Sequence, residues 1–227
     1  MAEDKRRPEP SPDHPASPVA APIVAVPVAA PMVARPRVVA ATPLENSVTD
    51  WFSTSRDYQE DDRAAVLDAQ LAALIARGPP VVAELERRLN DLAPDQLNDR
   101  AAALFALGRV GAALVASSDA RSTEAVATIH RLATDELGQP EYLPVDPQLN
   151  DPAMPPEARR ALLHFEGYAE VKGQIVVSSL RNKVAAVLML KDLGDEPARS
   201  RLRDLAQRSD IAEGVQMATQ LALAYMQ

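Results

Sequence analysis

The stretch VAAVLMLKDLGDEPARSRLRDLAQ, residues 184–207, decides the fold class. Up to Leu193 it is apolar at helical spacing, and with Leu180 it sets Val184, Val187, Leu188 and Met189 on one helix. Gly194 interrupts the run. Asp195 then stands where an N-cap accepts backbone N–H bonds, and Pro197 falls inside a first turn that needs no donor at that position. Leu202 and Leu205 supply the buried side of a second helix. The segment therefore reads as helix, tight turn, helix. One such hairpin leaves an apolar face that only further helices can cover.

Outward from it the same grammar continues. Asp210 and Glu213 have capping-box spacing for a last helix carrying Ile211, Val215 and Ala218. Upstream, Leu67, Leu71, Leu74 and Ile75 form one stripe, stopped by Gly78 and the pair Pro79-Pro80. Val82, Leu85, Leu89 and Leu92 form the next. A third helix from Pro94 places Leu97, Ala101, Leu104, Gly108 and Gly111 on one side, where the glycines let a neighbour approach closely. A fourth from Ser122 or Thr123 carries Val126, Ile129, Ala133 and Leu137, and Gly138 is expected to end it with a left-handed cap.

Between Gln139 and Pro156 six prolines break the pattern, which predicts a long surface loop over 138–156. Helical spacing returns with Pro156, Leu162, Leu163 and Phe165 and fails again around Gly167 to Gly173. Ile175, Val176 and Val177 fit either the following helix or a short extended lead-in to it. Hydrophobic residues make up 47% of the chain but aromatics only 4%, so the apolar content is mainly Ala, Leu and Val. That composition favours helix, and the fold class expected is all-α.

The turn Leu190-Lys191-Asp192-Leu193-Gly194-Asp195, followed by Leu202, Leu205-Ala206 and Leu221-Ala222, resembles a HEAT-type repeat, best over residues 184–226. In such repeats a Leu-Gly-Asp turn joins two antiparallel helices. Ala106-Leu107-Gly108, followed by Ile129 and Leu132-Ala133, echoes it with Arg109 in place of Asp. The resemblance implies a short α-solenoid of stacked hairpins and a scaffold or adaptor role. A compact helical bundle is the alternative architecture.

The first 45 residues read differently. Ten of the 20 prolines fall between Pro8 and Pro43, spaced by Ala, Val and Ser, which forbids helix and favours extended chain. At about 3.1 Å per residue this arm reaches on the order of 100 Å. Residues 1–45 are thus expected to be a disordered arm, a tether or a docking segment, before a helical domain over 46–227. Trp51-Phe52 follows at once, either stapling the arm to the first helices or serving as a partner hot spot.

Several chemistries are excluded by residue type. Without cysteine there are no disulfides, thiolate nucleophiles or thiolate zinc sites. His164-Phe165-Glu166 has the spacing of a zinc deaminase motif but lacks its Cys-x-x-Cys partner. Gly108-Arg109-Val110-Gly111 lacks the Lys and Ser/Thr of a phosphate loop. Asp146, Gln148, Asn150 and Glu157 fall at calcium-loop positions, yet Asp151 occupies the obligatory glycine and Pro152, Pro155 and Pro156 disrupt the turn. No metal or cofactor is expected. The net charge of −8 disfavours nucleic acid, and the proline-broken N-terminal run argues against a signal or membrane helix, so a cytoplasmic location is expected.

The function these observations favour is a non-enzymatic protein-protein interaction scaffold. Its expected exposed contacts are Trp51, Phe52, Tyr142, Leu143 and Leu149. The alternative is an enzyme or accessory factor with an inter-helix site around His164, Glu166 and Tyr168.

Overall fold

A computed structural model describes residues 43–56, 63–117, 119–165 and 167–226. The expected arm lies outside the described residues, except for 43–45. Nine α-helices appear among the described residues: α1 (Leu44–Arg56), α2 (Arg63–Arg77), α3 (Pro80–Asp91), α4 (Leu97–Val115), α5 (Ala120–Leu137), α6 (Pro156–Leu163), α7 (Leu180–Leu193), α8 (Glu196–Gln207) and α9 (Glu213–Tyr225). The molecule is mostly helical.

Its centre is α4, which packs against α1, α2, α3, α5 and α7. The apolar faces read from sequence meet there: Leu74, Leu85, Leu104, Leu107, Ile129, Leu190 and Leu202 are fully buried in one core. Each such side chain contributes about 1.5–3 kcal/mol relative to exposure. The seam between α4 and α7 depends on glycine. A Cβ at Gly108 would stand 2.9 Å from the Met189 Cα, and one at Gly111 would stand 2.6 Å from Leu193 Cδ2. Only hydrogen at these positions lets the two helices lie this close. Because Gly108 meets Met189 and Gly111 meets Leu193, α4 and α7 run parallel.

Helix ends follow the sequence in part. Asp195 caps α8 by accepting from the Ala198 N–H at 3.0 Å, and Gly194 is left-handed at φ 66°, as the Leu-Gly-Asp turn requires. Gly138 is not left-handed, having φ −80°, so that expectation is corrected: the α5 end closes by Gly138 N–H bonding to the Thr134 carbonyl. The cap of α5 is Asp119, upstream of Ser122 and Thr123. Asp210 does not cap α9, because its carboxylate is held by Arg208 at 2.8 and 2.9 Å, and α9 starts after Ala212 without a side-chain cap. Ala106-Leu107-Gly108 is no turn but lies in mid-α4.

The all-α expectation needs a correction between α5 and α7. Three short strands, β1 (Tyr142–Pro144), β2 (Tyr168–Val171) and β3 (Gln174–Ser178), form an antiparallel sheet in the order β1-β3-β2. The hairpin joining β2 to β3 turns through Lys172 and Gly173, both with positive φ (52° and 78°), the backbone that a two-residue primed turn demands. The run Ile175-Val176-Val177 then favours strand through its β-branched side chains. The proline-rich stretch over 138–156 is correspondingly structured rather than a plain surface loop. It supplies β1, and Asn150 fastens it to β3 by donating from Nδ2 to the Ile175 carbonyl (2.9 Å) while Oδ1 accepts from the Ile175 N–H (2.6 Å). Leu97, Leu143, Val145, Ile175 and Val177 form a second, smaller core beneath it.

Candidate protein-interaction surface

Trp51 and Phe52 are buried, 3% and 7% exposed, which corrects their expected exposure. The reason is that they belong to α1. With Val48 they make an i, i+3, i+4 face against the core, and the Trp51 indole N–H donates to the Ala102 carbonyl at 3.2 Å while its ring stacks on Phe105. Leu143 is buried too, and Leu149 is half-buried against the small core. Of the five expected contacts only Tyr142 is exposed, at 41%.

Tyr142 stands at a cleft of about 520 Å³ where the sheet meets the start of α7, lined also by Leu97, Tyr168, Leu180, Arg181 and Val184. A hydrogen bond to Glu141 raises the Tyr142 hydroxyl above its ordinary pKa, and burial followed by the Asp95 charge does the same for Tyr168. Both therefore present O–H groups at neutral pH. Of the alternative enzyme site, Tyr168 lines this cleft, His164 is an exposed residue ending α6, and Glu166 lies outside the described residues.

The metal-like spacing is occupied by other duties. Asp146 accepts from the Gln148 N–H at 2.9 Å, and Asn150 is spent on β3. Among the described residues no three His, Cys, Asp or Glu side chains gather as a metal would need. His130 pairs with the α8 cap, its Nε2 2.8 Å from Asp195 Oδ2. Comparison with family models, curated proteins and solved structures finds no match to this chain.

From the cleft an apolar surface continues along α7. Leu180, Val184 and Leu188 recur every four residues on the side of α7 turned away from its buried set of Ala186, Val187, Met189, Leu190 and Leu193. The neighbouring helix α9 packs beside α7, and its start lies at the start of α7, since a Cβ at Gly214 would meet Leu180 at 3.2 Å. Along it Met217, Leu221 and Tyr225 repeat the four-residue step. Leu188, Met217, Leu221 and Tyr225 are 43%, 56%, 55% and 79% exposed, and Phe105 on α4 adds a further exposed ring.

Sequence reasoning missed this second face, although a signal for it exists. The apolar residues of α7 cover more of its circumference than one core contact needs. No single described helix is long and apolar enough to cross a membrane.

Proposed function

We propose that this protein is a cytoplasmic, non-enzymatic interaction scaffold or adaptor. In this reading a short HEAT-like stack of helical hairpins holds a protein partner on the α4–α7–α9 face, and residues 1–45 act as tether or second contact. The observation that carries it is the set of exposed apolar residues on two packed helices, Leu180 and Leu188 on α7 with the half-buried Val184 between them, and Met217, Leu221 and Tyr225 on α9. Single exposed apolar residues are ordinary, whereas a contiguous set on two helices costs solubility unless something covers it. Covering the four most exposed members would contribute about 1.5–3 kcal/mol for each one fully buried.

The contacts between helices support the stacked-hairpin part. Helix α7 packs on α8 across the Gly194-Asp195 turn and on α9 beyond it, while α4 and α5 pack on each other and on α7. Nearest-neighbour contact between successive hairpins is what a solenoid uses. The sheet-bearing insertion sits in the connection between α5 and α7, as insertions in repeat proteins map to connecting loops.

The test is capture from native lysate with the full chain, the double variant L188E/L221E and a chain beginning at Leu44. A partner lost by the double variant but kept by the shortened chain supports recognition by the helical face. A partner kept by the variant and lost with the arm overturns it.

A further inference from the structure

We infer that the cavity between the end of α5, the start of α7 and the α8–α9 turn binds a small zwitterion, a free amino acid with an aliphatic side chain. It does not depend on the partner-binding face. The cavity measures about 250 Å³, and its apolar wall is Leu137, Leu205, Ile211 and Val215. Sites for drug-sized molecules run from roughly 300 to 1,000 Å³, so the occupant is smaller than those. Leu205 and Val215 are buried and Leu137 and Ile211 half-buried, which gives a short branched side chain an apolar surface to cover.

Separated charges select the zwitterion. Four charged side chains line the same cavity, and two of them, Arg208 and Asp210, neutralise each other through hydrogen bonds of 2.8 and 2.9 Å. Lys183 and Glu141 remain. Both are anchored through Ser179, whose N–H donates to the Glu141 carbonyl at 2.9 Å and whose carbonyl accepts from the Lys183 N–H at 3.0 Å. Among the described residues neither side chain enters an ion pair, so an ammonium and a carboxylate stand at one cavity without closing on each other. The Glu141 carboxylate accepts from the Tyr142 hydroxyl and keeps lone pairs for a further donor. A ligand carrying its own carboxylate for Lys183 and its own ammonium for Glu141 completes both pairs at once. A simple anion would face Glu141, and a simple cation would face Lys183, each with like charge. A purely apolar ligand would desolvate both charges and pair neither.

Isothermal titration calorimetry on the full chain tests the inference with L-leucine, with leucinamide, which lacks the carboxylate, and with 4-methylpentanoate, which lacks the ammonium. Leucine is expected to bind about tenfold tighter than either, because each analogue leaves one buried charge pair unmade. K183M should remove the advantage over leucinamide, and E141Q the advantage over 4-methylpentanoate. Both side chains reach solvent, so neither change should alter the circular dichroism spectrum. No binding of leucine at millimolar concentration overturns the site. Either analogue binding as tightly as leucine overturns the zwitterion. Leucine affinity unchanged in both K183M and E141Q places the amino acid elsewhere and overturns the assignment to this cavity.

Discussion

The two cores of this molecule are held by different means. The larger draws buried residues from every helix except α6, and each of its helices satisfies its backbone locally before it packs. The smaller has five buried residues beneath three short strands, and its order depends on pairings between residues far apart in sequence, such as Leu143 with Val177 and Asn150 with Ile175. Few buried apolar groups and exposed strand edges define a region that opens first. The difference teaches where stability resides, in the α4–α7 seam, and which part is free to vary around it.

The largest expected effect concerns a charge inside the larger core. Arg100 donates to the carbonyls of Leu89 and Leu92 at 3.1 and 3.2 Å and pairs with Glu136, whose side chain is 4% exposed. It thereby ties the end of α3 to α4 and α5. Glu136→Ala leaves that guanidinium without its anionic partner, and urea denaturation should register a loss of about 3–5 kcal/mol. A neutral result would mean that α3, α4 and α5 are held by apolar contact alone.

Ile175→Ala should cost about 2–4 kcal/mol, but within the insertion. Hydrogen exchange should then show the amides of β1 to β3 losing protection while those of α4 and α7 keep theirs. Simultaneous loss in both regions would erase the distinction between the two cores. Gly108→Ala is a finer probe. Overpacking against the Met189 backbone costs about 1–3 kcal/mol and the gain in helix propensity returns about 1, so a small net destabilisation is expected. Stabilisation would show that the seam has slack.

The smallest effect lies outside both cores, at the α5 cap. Hydrogen bonds from the Ser117 and Ser122 hydroxyls, with the Ser122 backbone N–H, hold the Asp119 carboxyl well below the usual carboxylate range. A depressed folded pKa means that the cap's contribution is complete above the unfolded value, near 4, and is lost as pH falls through the lower folded one. Carboxyl NMR shifts should find Asp119 still ionised at about pH 3, where an unpartnered aspartate has largely titrated.

How far the sequence could be read follows the same division. The helices of the larger core declare themselves by periodicity, and the turns at Pro79-Pro80 and Gly194-Asp195 carry their own chemistry. Strands of three to five residues offer too few positions for alternation to stand out, so the sheet hid inside a proline-rich stretch. Its local marks were the Lys172-Gly173 turn and the β-branched run Ile175-Val176-Val177, which also fitted the start of the next helix. Trp51 and Phe52 looked exposed because Ser47, Thr49, Asp50, Ser53 and Thr54 surround them, whereas in α1 Thr49, Asp50 and Ser53 face solvent and the half-buried Ser47 and Thr54 accept from Arg77 and Gln70 of α2. The α7 and α9 ladders were visible as apolar residues, but nothing in one sequence tells which face of an all-round apolar helix remains uncovered.

The most direct test of the account places a photo-crosslinking residue at Leu188 or Leu221 in the full chain, with Glu124 on α5 as the exposed control. The account predicts crosslinks to one partner protein from both Leu188 and Leu221 and none from Glu124. Crosslinks from Glu124 with silence at Leu188 and Leu221 would contradict it.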